Sequence, residues 1–327
     1  MKNPSRTIWG ALVGDACGAT LEFYDDDITE AVAIRAMSMC GGGSLRVGPG
    51  QITDDGELTL TLWNILREKV PVHGISLRDV AKAYVEWYES FPFDIGRTCS
   101  LAFDALSTWV EDDEKDMTNV LRTIASMSSR SEANGAMMRV TPIAAWWASH
   151  PVSVDGIICI EETATHAAAA ASMDAQLSHP GHVTRSANAL YVYALTLLLL
   201  GCDTQDTIQR VELMARDNGT IIRSWVEESK GEWNTLSDAR MLIGHVRHAF
   251  VSALWFLRRP EIGYADAIYR MLQRGGDTDT NAAIVGGMVA CYQPIPECMK
   301  NAVAHFDCIT SGRPRPKEYG VKYQMGS

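Results

Sequence analysis

The sequence predicts an all-α protein, on three observations. Apolar residues recur at helical spacing in separated stretches from the N-terminus to about residue 289. Few segments alternate apolar and polar residues with period two, so strands should be scarce. The 327 residues are 46% hydrophobic and 21% charged, which is material for one large core, and a single domain is expected.

Taken in order, Asn3, Pro4 and Ser5 supply a helix start, and Gly10, Gly14 and Gly18 then recur every fourth residue. Missing side chains on one stripe let a neighbouring helix approach closely, so this helix is a packing surface. Asp15 and Glu22 are seven apart and fall nearly on one helical face. Tyr24 to Gln51 mixes acidic residues, a weak apolar stretch and clustered glycines without a sustained helical period, and reads as a long mobile connection over the site. Within it Asp26, Asp27 and Glu30 spell D-D-x-x-E, a spacing that binds Mg²⁺ on a helix in prenyl-diphosphate enzymes. Glycine-rich surroundings and the lack of a second such motif favour a surface loop.

After Thr53 a helix is clear, with Leu58, Leu62, Ile65 and Leu66 on one face. Capping by Thr53 or Asp54 would account for one polar side chain there, but two consecutive carboxylates beside a hydroxyl exceed that need. Ser76 to Glu89 is a second amphipathic helix, with Ser76 and Asp79 resembling a capping box and Val80, Ala83, Tyr84 and Trp87 forming its buried stripe. Asp94 precedes Gly96 and by itself reads as a turn residue. The run Glu111 to Asp116 is a solvated connection. Asn134 and Gly135 give a tight turn where backbone can approach a ligand, and Pro142 belongs in the first turn of a following helix.

His166 precedes five alanines, and alone it reads as a structural histidine. Residues 183–200, 205–216, 239–257 and 264–273 are further helices; Val246, Ala249, Phe250, Ala253 and Leu254 show the core period, and His245 and His248 receive no role. Gly275 and Gly276 end a helix and permit a tight turn. Asp277 and Asp279 would point to different sides of a regular helix, whereas a nonhelical turn bends both around one cation. Ala282, Ile284, Val285, Met288 and Val289 bury the helix behind them.

Two stretches therefore place hard oxygen donors where helices begin: Thr53, Asp54 and Asp55 in ITDDGELTL, and Asp277, Asp279 and Thr280 in GGDTDTNAAIVGG. Four carboxylates and two hydroxyls favour Mg²⁺, or Mn²⁺ by geometry, over zinc. Other chemistry is weakly represented. A formal charge of −11 repels phosphate backbones, and SGRPRPK is too short to offset it. Eight cysteines without a C-x-x-C pair suit free thiols in a reducing compartment. Cys298, His305 and Cys308 lack a fourth zinc ligand. No phosphate loop, dinucleotide fingerprint or G-x-S-x-G elbow occurs. Leu190 to Leu200 is shorter than the roughly 20 residues a bilayer needs, and in MKNPSRTIWGALVGD Gly and Asp interrupt any apolar core, so a signal peptide is not expected there. A cytoplasmic location is expected.

Together with GALVGDACGATLEF from Gly10, NGAMMRVTPIA from Asn134 and THAAAA from Thr165, these two stretches resemble, in order, the motifs of the ADP-ribosylglycohydrolase family. The resemblance implies a single compact orthogonal helical domain over residues 1–310, followed by a tail over 311–327. It implies two Mg²⁺ (or Mn²⁺) ions held by Thr53, Asp54, Asp55, Asp277, Asp279 and Thr280, with Asp279 touching both. Glu22 is implied as a ligand or water-positioning residue, and Glu22, Asp55 and Asp279 as the catalytic carboxylates. Asp94, Asn134, Gly135, Ala136 and His166 are implied substrate contacts, with Arg139 undecided. The implied reaction is hydrolysis of the glycosidic bond between ADP-ribose and an acceptor, with ADP-ribose or an ADP-ribosylated protein as partner and a monomer as the working unit. The D-I-G segment at Asp94 looks like that of arginine-directed members, although Arg97 stands where the family often has Asn. The alternatives are a catalytically silent ADP-ribose binder, against which the complete donor set argues, and a Mg²⁺-dependent prenyl-diphosphate enzyme.

Overall fold

The structure, a computed structural model, describes residues 3–67, 69, 74–110 and 116–325. Among these the chain forms α1 (Ser5–Gly18), α2 (Glu30–Met37), α3 (Asp54–Leu66), α4 (Leu77–Glu89), α5 (Arg97–Val110), α6 (Met117–Ser128) and α7 (Thr141–Ser149). A two-residue hairpin, β1 (Ser153–Val154) and β2 (Ile157–Ile158), leads into α8 (Ile160–Ala175), α9 (His182–Leu200), α10 (Thr204–Ala215), α11 (Gly219–Glu228) and α12 (Val246–Leu257). Then follow α13 (Tyr264–Gln273), α14 (Thr278–Val289), α15 (Glu297–Ala304) and α16 (Val321–Met325). The all-α expectation holds, and one continuous core runs through these helices.

The glycine stripe of α1 meets α14 along its length. A Cβ on Gly10 would stand 2.3 Å from the carbonyl oxygen of Gly286, and one on Gly14 would stand 2.1 Å from that of Ala282. Main chain therefore packs directly on main chain. Tyr264 and Tyr191 tie the pair further by donating to the carbonyls of Gly10 and Ile284. The apolar α9 is long enough by length and composition to cross a bilayer, but 89% of its most apolar window is buried inside the domain.

Four expectations need correction. Tyr24 to Gln51 contains α2, whose N-terminus is capped by Thr29 accepting from the Val32 amide; eight residues were too few to show a period. The helix expected over 239–257 begins only at Val246, because His245 caps it through Nδ1 and the chain before it turns irregularly. Glu22 lies beyond the end of α1, so it shares no helical face with Asp15.

The residues expected as a C-terminal tail, 311–327, are packed onto the domain over their described part. Arg315 is buried and pairs with Glu57 of α3 at 2.9 Å, both side chains being 4% exposed. Arg313 donates to the Leu45 carbonyl, so both arginines of SGRPRPK serve the fold. Asp26 and Asp27 are exposed ahead of α2, and Asp27 pairs with Arg240, which fits the surface-loop reading of D-D-x-x-E. The charged run Glu111 to Asp116 lies outside the described residues except for Asp116, which caps α6.

Candidate active site

Both expected metal motifs sit at helix N-termini, and a third residue decides how the first is used. Asp15, fully buried on α1, accepts from the Thr53 amide at 3.0 Å, the Thr53 hydroxyl at 2.9 Å and the Gly56 amide at 2.9 Å. The donors at the start of α3 are thus satisfied by a carboxylate from another helix. Neither Thr53 nor Asp54 caps α3, which leaves Asp54 and Asp55 without that task.

The second motif is shaped by a turn. Gly276 has φ 74, and a Cβ there would stand 2.1 Å from the Ala239 carbonyl oxygen, so a side chain is excluded. Asp277 follows in a nonhelical conformation and Asp279 lies in the first turn of α14. Carboxylate oxygens of Glu22, Asp277 and Asp279 all lie within 4.8 Å of one another. Thr278 donates to the Gly18 carbonyl at 3.0 Å and fixes this turn to the end of α1, close to Glu22. Thr280 donates to Asp55 at 3.2 Å, bringing the two motifs together. Thr53 is fully buried, its hydroxyl engaged with Asp15 and, at 3.3 Å, Asp55.

These groups line or underlie a cleft of about 400 Å³ bounded by Glu22, Asp54, Asp94, Asn134, Asp277 and Asp279. Asn134 reaches it because Ala133 bridges His245 and the Asn134 amide donates to Gly244; its side chain then donates to Asp277 at 2.8 Å. Gly135 and Thr280 also line the cleft, as does Arg97, which is exposed at the start of α5. Ala136 is fully buried and does not line it. Arg139 lies beneath, paired with Asp174 at 3.1 Å, over the Tyr84 ring, and donating to the Gly135 carbonyl.

His166 is not brought to this cleft. It sits on the outer side of α8 with its ring 5.3 Å from that of Trp147. The histidine in the cleft wall is His179, which sequence reading missed. Nothing at His179 marked it, since its position depends on how the turn after α8 folds back toward Gly135. Its Nδ1 meets the Ser178 hydroxyl at 2.9 Å, while its buried Nε2 has no partner. Burial, with Arg139 adding to it, pushes His179 down to about 3, so the ring is neutral.

The electrostatics call for a cation. Burial raises Glu22 to about 8, with Asp277 adding repulsion, and raises Asp15 to about 7 against its hydrogen bonds from Thr53 and Gly56. Asp94 rises to about 6 from burial and then Asp277. Asp54, Asp55 and Asp279 rise well above the usual carboxylate range, from burial and then from neighbouring carboxylates. Glu22 Oε2 and Asp55 Oδ1 are buried without a hydrogen-bond partner. Unpaired carboxylate oxygens, all hard donors, fit a divalent cation such as Mg²⁺. Among the described residues, Glu22, Asp277 and Asp279 form the one cluster close enough to share an ion.

Comparison with known proteins finds related sequences and a related fold. The family model for ADP-ribosylglycohydrolase matches residues 6–317. An ADP-ribosyl-dinitrogen-reductase glycohydrolase of Rhodospirillum rubrum is 33% identical over 158 residues, spanning 48% of this chain and 49% of that protein. An ADP-ribosylarginine hydrolase of Pseudomonas putida (strain GB-1) is 25% identical over 294 residues, spanning 85% of this chain and 67% of that one. A solved ADP-ribosylglycohydrolase-related protein complex superposes with a TM-score of 0.68 at 21% identity over 100% of both chains, which is a likeness of fold.

Proposed function

We propose, from the premise that this chain belongs to the ADP-ribosylglycohydrolase family, that it releases ADP-ribose from ADP-ribosylated arginine side chains. The observation that carries the reading is the convergence of Glu22, Asp277 and Asp279 within 4.8 Å, in the cleft that Asp54 and Asp94 also line.

Asp54, Asp55, Asp277, Asp279 and Thr280, with Thr53 behind them, would hold two Mg²⁺ or Mn²⁺ ions, and Glu22 joins their cluster. Such ions would offset the carboxylate charge, orient the ribose hydroxyls and polarise a water. The bond to the anomeric carbon then breaks through an oxocarbenium-like transition state. Burial favours a proton on Glu22 when no cation is present, so a bound cation would be what frees its carboxylate to take the proton of the attacking water. Asn134 holds Asp277 in place by its 2.8 Å bond. Gly135 offers bare backbone to the substrate, and the neutral His179 beside it adds a ring nitrogen without adding charge.

The acceptor reading rests on Asp94. At neutral pH and above it is mostly ionised, and a carboxylate at the cleft wall forms a bidentate pair with guanidinium that a serine acceptor has no means to make. The similar protein from Pseudomonas putida bears the name of an arginine-directed enzyme. Arg97 in the same cleft opposes a cationic leaving group and suits the diphosphate of ADP-ribose.

The test compares release from arginine-, serine- and nucleic-acid-linked ADP-ribose, with and without EDTA, by wild type, Glu22→Gln and Asp94→Ala. Arginine is expected to be released fastest, EDTA and Glu22→Gln to stop release, and Asp94→Ala to slow the arginine substrate alone. Equal rates on all acceptors reject the arginine assignment. No hydrolysis of any of them with metal present rejects the activity.

A further inference from the structure

Asp15 of α1 stands outside both metal motifs and touches the first of them. Thr278 donates to the Gly18 carbonyl, so α1 already holds the start of α14. The start of α3 is tied to the same helix by one side chain. Asp15 Oδ2 accepts from the Thr53 amide at 3.0 Å and the Gly56 amide at 2.9 Å, and Oδ1 accepts from the Thr53 hydroxyl at 2.9 Å. Gly56 leaves room for this carboxylate, since a Cβ there would stand 2.6 Å from Oδ2.

The two amide bonds cap α3 whatever the Thr53 side chain does, and the hydroxyl bond has a separate effect. A threonine hydroxyl carries one hydrogen and two lone pairs. Thr53 Oγ1 has two carboxylates in reach, Asp15 Oδ1 at 2.9 Å and Asp55 Oδ2 at 3.3 Å, and the shorter contact takes the hydrogen. Thr53 Oγ1 and Asp55 Oδ2 then face each other with no hydroxyl hydrogen between them. Two such oxygens repel unless a cation serves both. Adjacent oxygens around an octahedral Mg²⁺ stand about 3 Å apart, close to this spacing. Asp55 Oδ1, buried without a partner, gives the same carboxylate further capacity for an ion.

We propose that Asp15 is a positioning residue for the metal site: by accepting the hydroxyl hydrogen of Thr53, it leaves the lone pairs of that oxygen to a divalent cation shared with Asp55. This deepens the metal reading proposed above and rests on it. Without Asp15 the hydrogen would pass to Asp55, and Thr53 would occupy a ligand oxygen instead of adding one.

Asp15→Asn separates the hydroxyl from the cap. Its amide oxygen can replace Oδ2 and keep both α3 amides, while its NH₂ donates to Thr53 Oγ1 and sends the hydroxyl hydrogen to Asp55. Isothermal titration of the EDTA-stripped full chain with Mg²⁺ should show roughly 10- to 100-fold weaker binding in Asp15→Asn and in Thr53→Val, with Thr53→Ser near wild type. The urea midpoint of metal-free Asp15→Asn should not fall below that of wild type. Loss of a negative charge weakens cation binding by itself, so the two changes are also combined. In a Thr53→Val background Asp15→Asn should cost clearly less than it does alone, because it acts through the hydroxyl.

A lowered urea midpoint with unchanged Mg²⁺ affinity in Asp15→Asn marks a purely structural Asp15 and overturns the proposal. A loss of the same size in both backgrounds overturns it too, by tracing the effect to charge. If Asp15→Asn does not fold, Thr53→Val binding as tightly as Thr53→Ser overturns it. A wild type that binds neither Mg²⁺ nor Mn²⁺ rejects the metal reading itself, whereas variants that bind like a metal-binding wild type reject only the role of Asp15.

Discussion

Thr280 donates its hydroxyl to Asp55 across 225 positions of sequence, at 3.2 Å, and so joins the two acidic helix starts into one site. Replacing it by valine keeps the shape and removes the bond. Thr280→Val should weaken Mg²⁺ binding roughly 10- to 100-fold, the usual effect of losing a group that orients or supplies a ligand. Isothermal titration of the EDTA-stripped protein measures it, and an unchanged affinity would remove Thr280 from the site.

Asp279→Ala should reduce hydrolysis by more than about a hundredfold while leaving the helical circular dichroism spectrum intact. The buried face of α14 behind it is untouched, and the substitution deletes a carboxylate whose pKa burial, and then Glu22 and Asp55, push well above the usual carboxylate range. The metal-free variant should therefore be no less stable than wild type at alkaline pH. Near-normal turnover at saturating Mg²⁺ would sink the assignment.

Stability of the metal-free protein should fall as pH rises. Glu22 moves from 4.5 to about 8, Asp15 from 3.8 to about 7 and Asp94 from 3.8 to about 6 on folding. Groups raised in this way stabilise the fold fully below their unfolded values, and that contribution is lost as pH climbs through the folded ones. A bound cation replaces the protons, so the rise in Tm on adding Mg²⁺ should be larger near pH 8.5 than near pH 5.5. Thermal melts with Mg²⁺ and with EDTA at both pH values check this; an increment independent of pH contradicts it.

Ending the chain after residue 310 should destabilise the domain. Glu57 would lose Arg315 and keep only the bond from Trp87 Nε1 at 2.7 Å. Breaking a buried pair by removing one partner costs about 3–5 kcal/mol, and Glu57→Gln in the shortened chain should recover part of it. Urea midpoints of the three proteins decide the matter, and equal midpoints would show the pair to be dispensable.

Motifs that act through their own neighbours were readable from sequence; those that act through distant packing were not. Asp277 and Asp279 announce a bent turn by their spacing after Gly276, and Gly10, Gly14 and Gly18 announce a close helix contact by theirs. Asp15 looked like one more acidic residue on α1, because the amides it satisfies belong to α3, 38 and 41 positions away. His166 lies midway along α8 and His179 thirteen residues on, past its end, and only the course of the chain after that helix brings His179 to Gly135. Arg315 appeared only as part of a short basic run, since its partner Glu57 is 258 positions distant.

The glycine contact between α1 and α14 also acts as a gauge. A Cβ on Gly18 would stand 2.4 Å from the Cα of Asp279, so the spacing between the turn that carries Glu22 and the one that carries Asp279 is set by bare backbone. Main chain has no rotamers and no methylenes to gain or lose. Substitutions elsewhere in the core can shift side-chain volume without moving these two turns relative to each other. The register of the acidic cluster is thereby insulated from drift in the rest of the protein, and the burden of preserving it falls on a few residues whose only contribution is to be small.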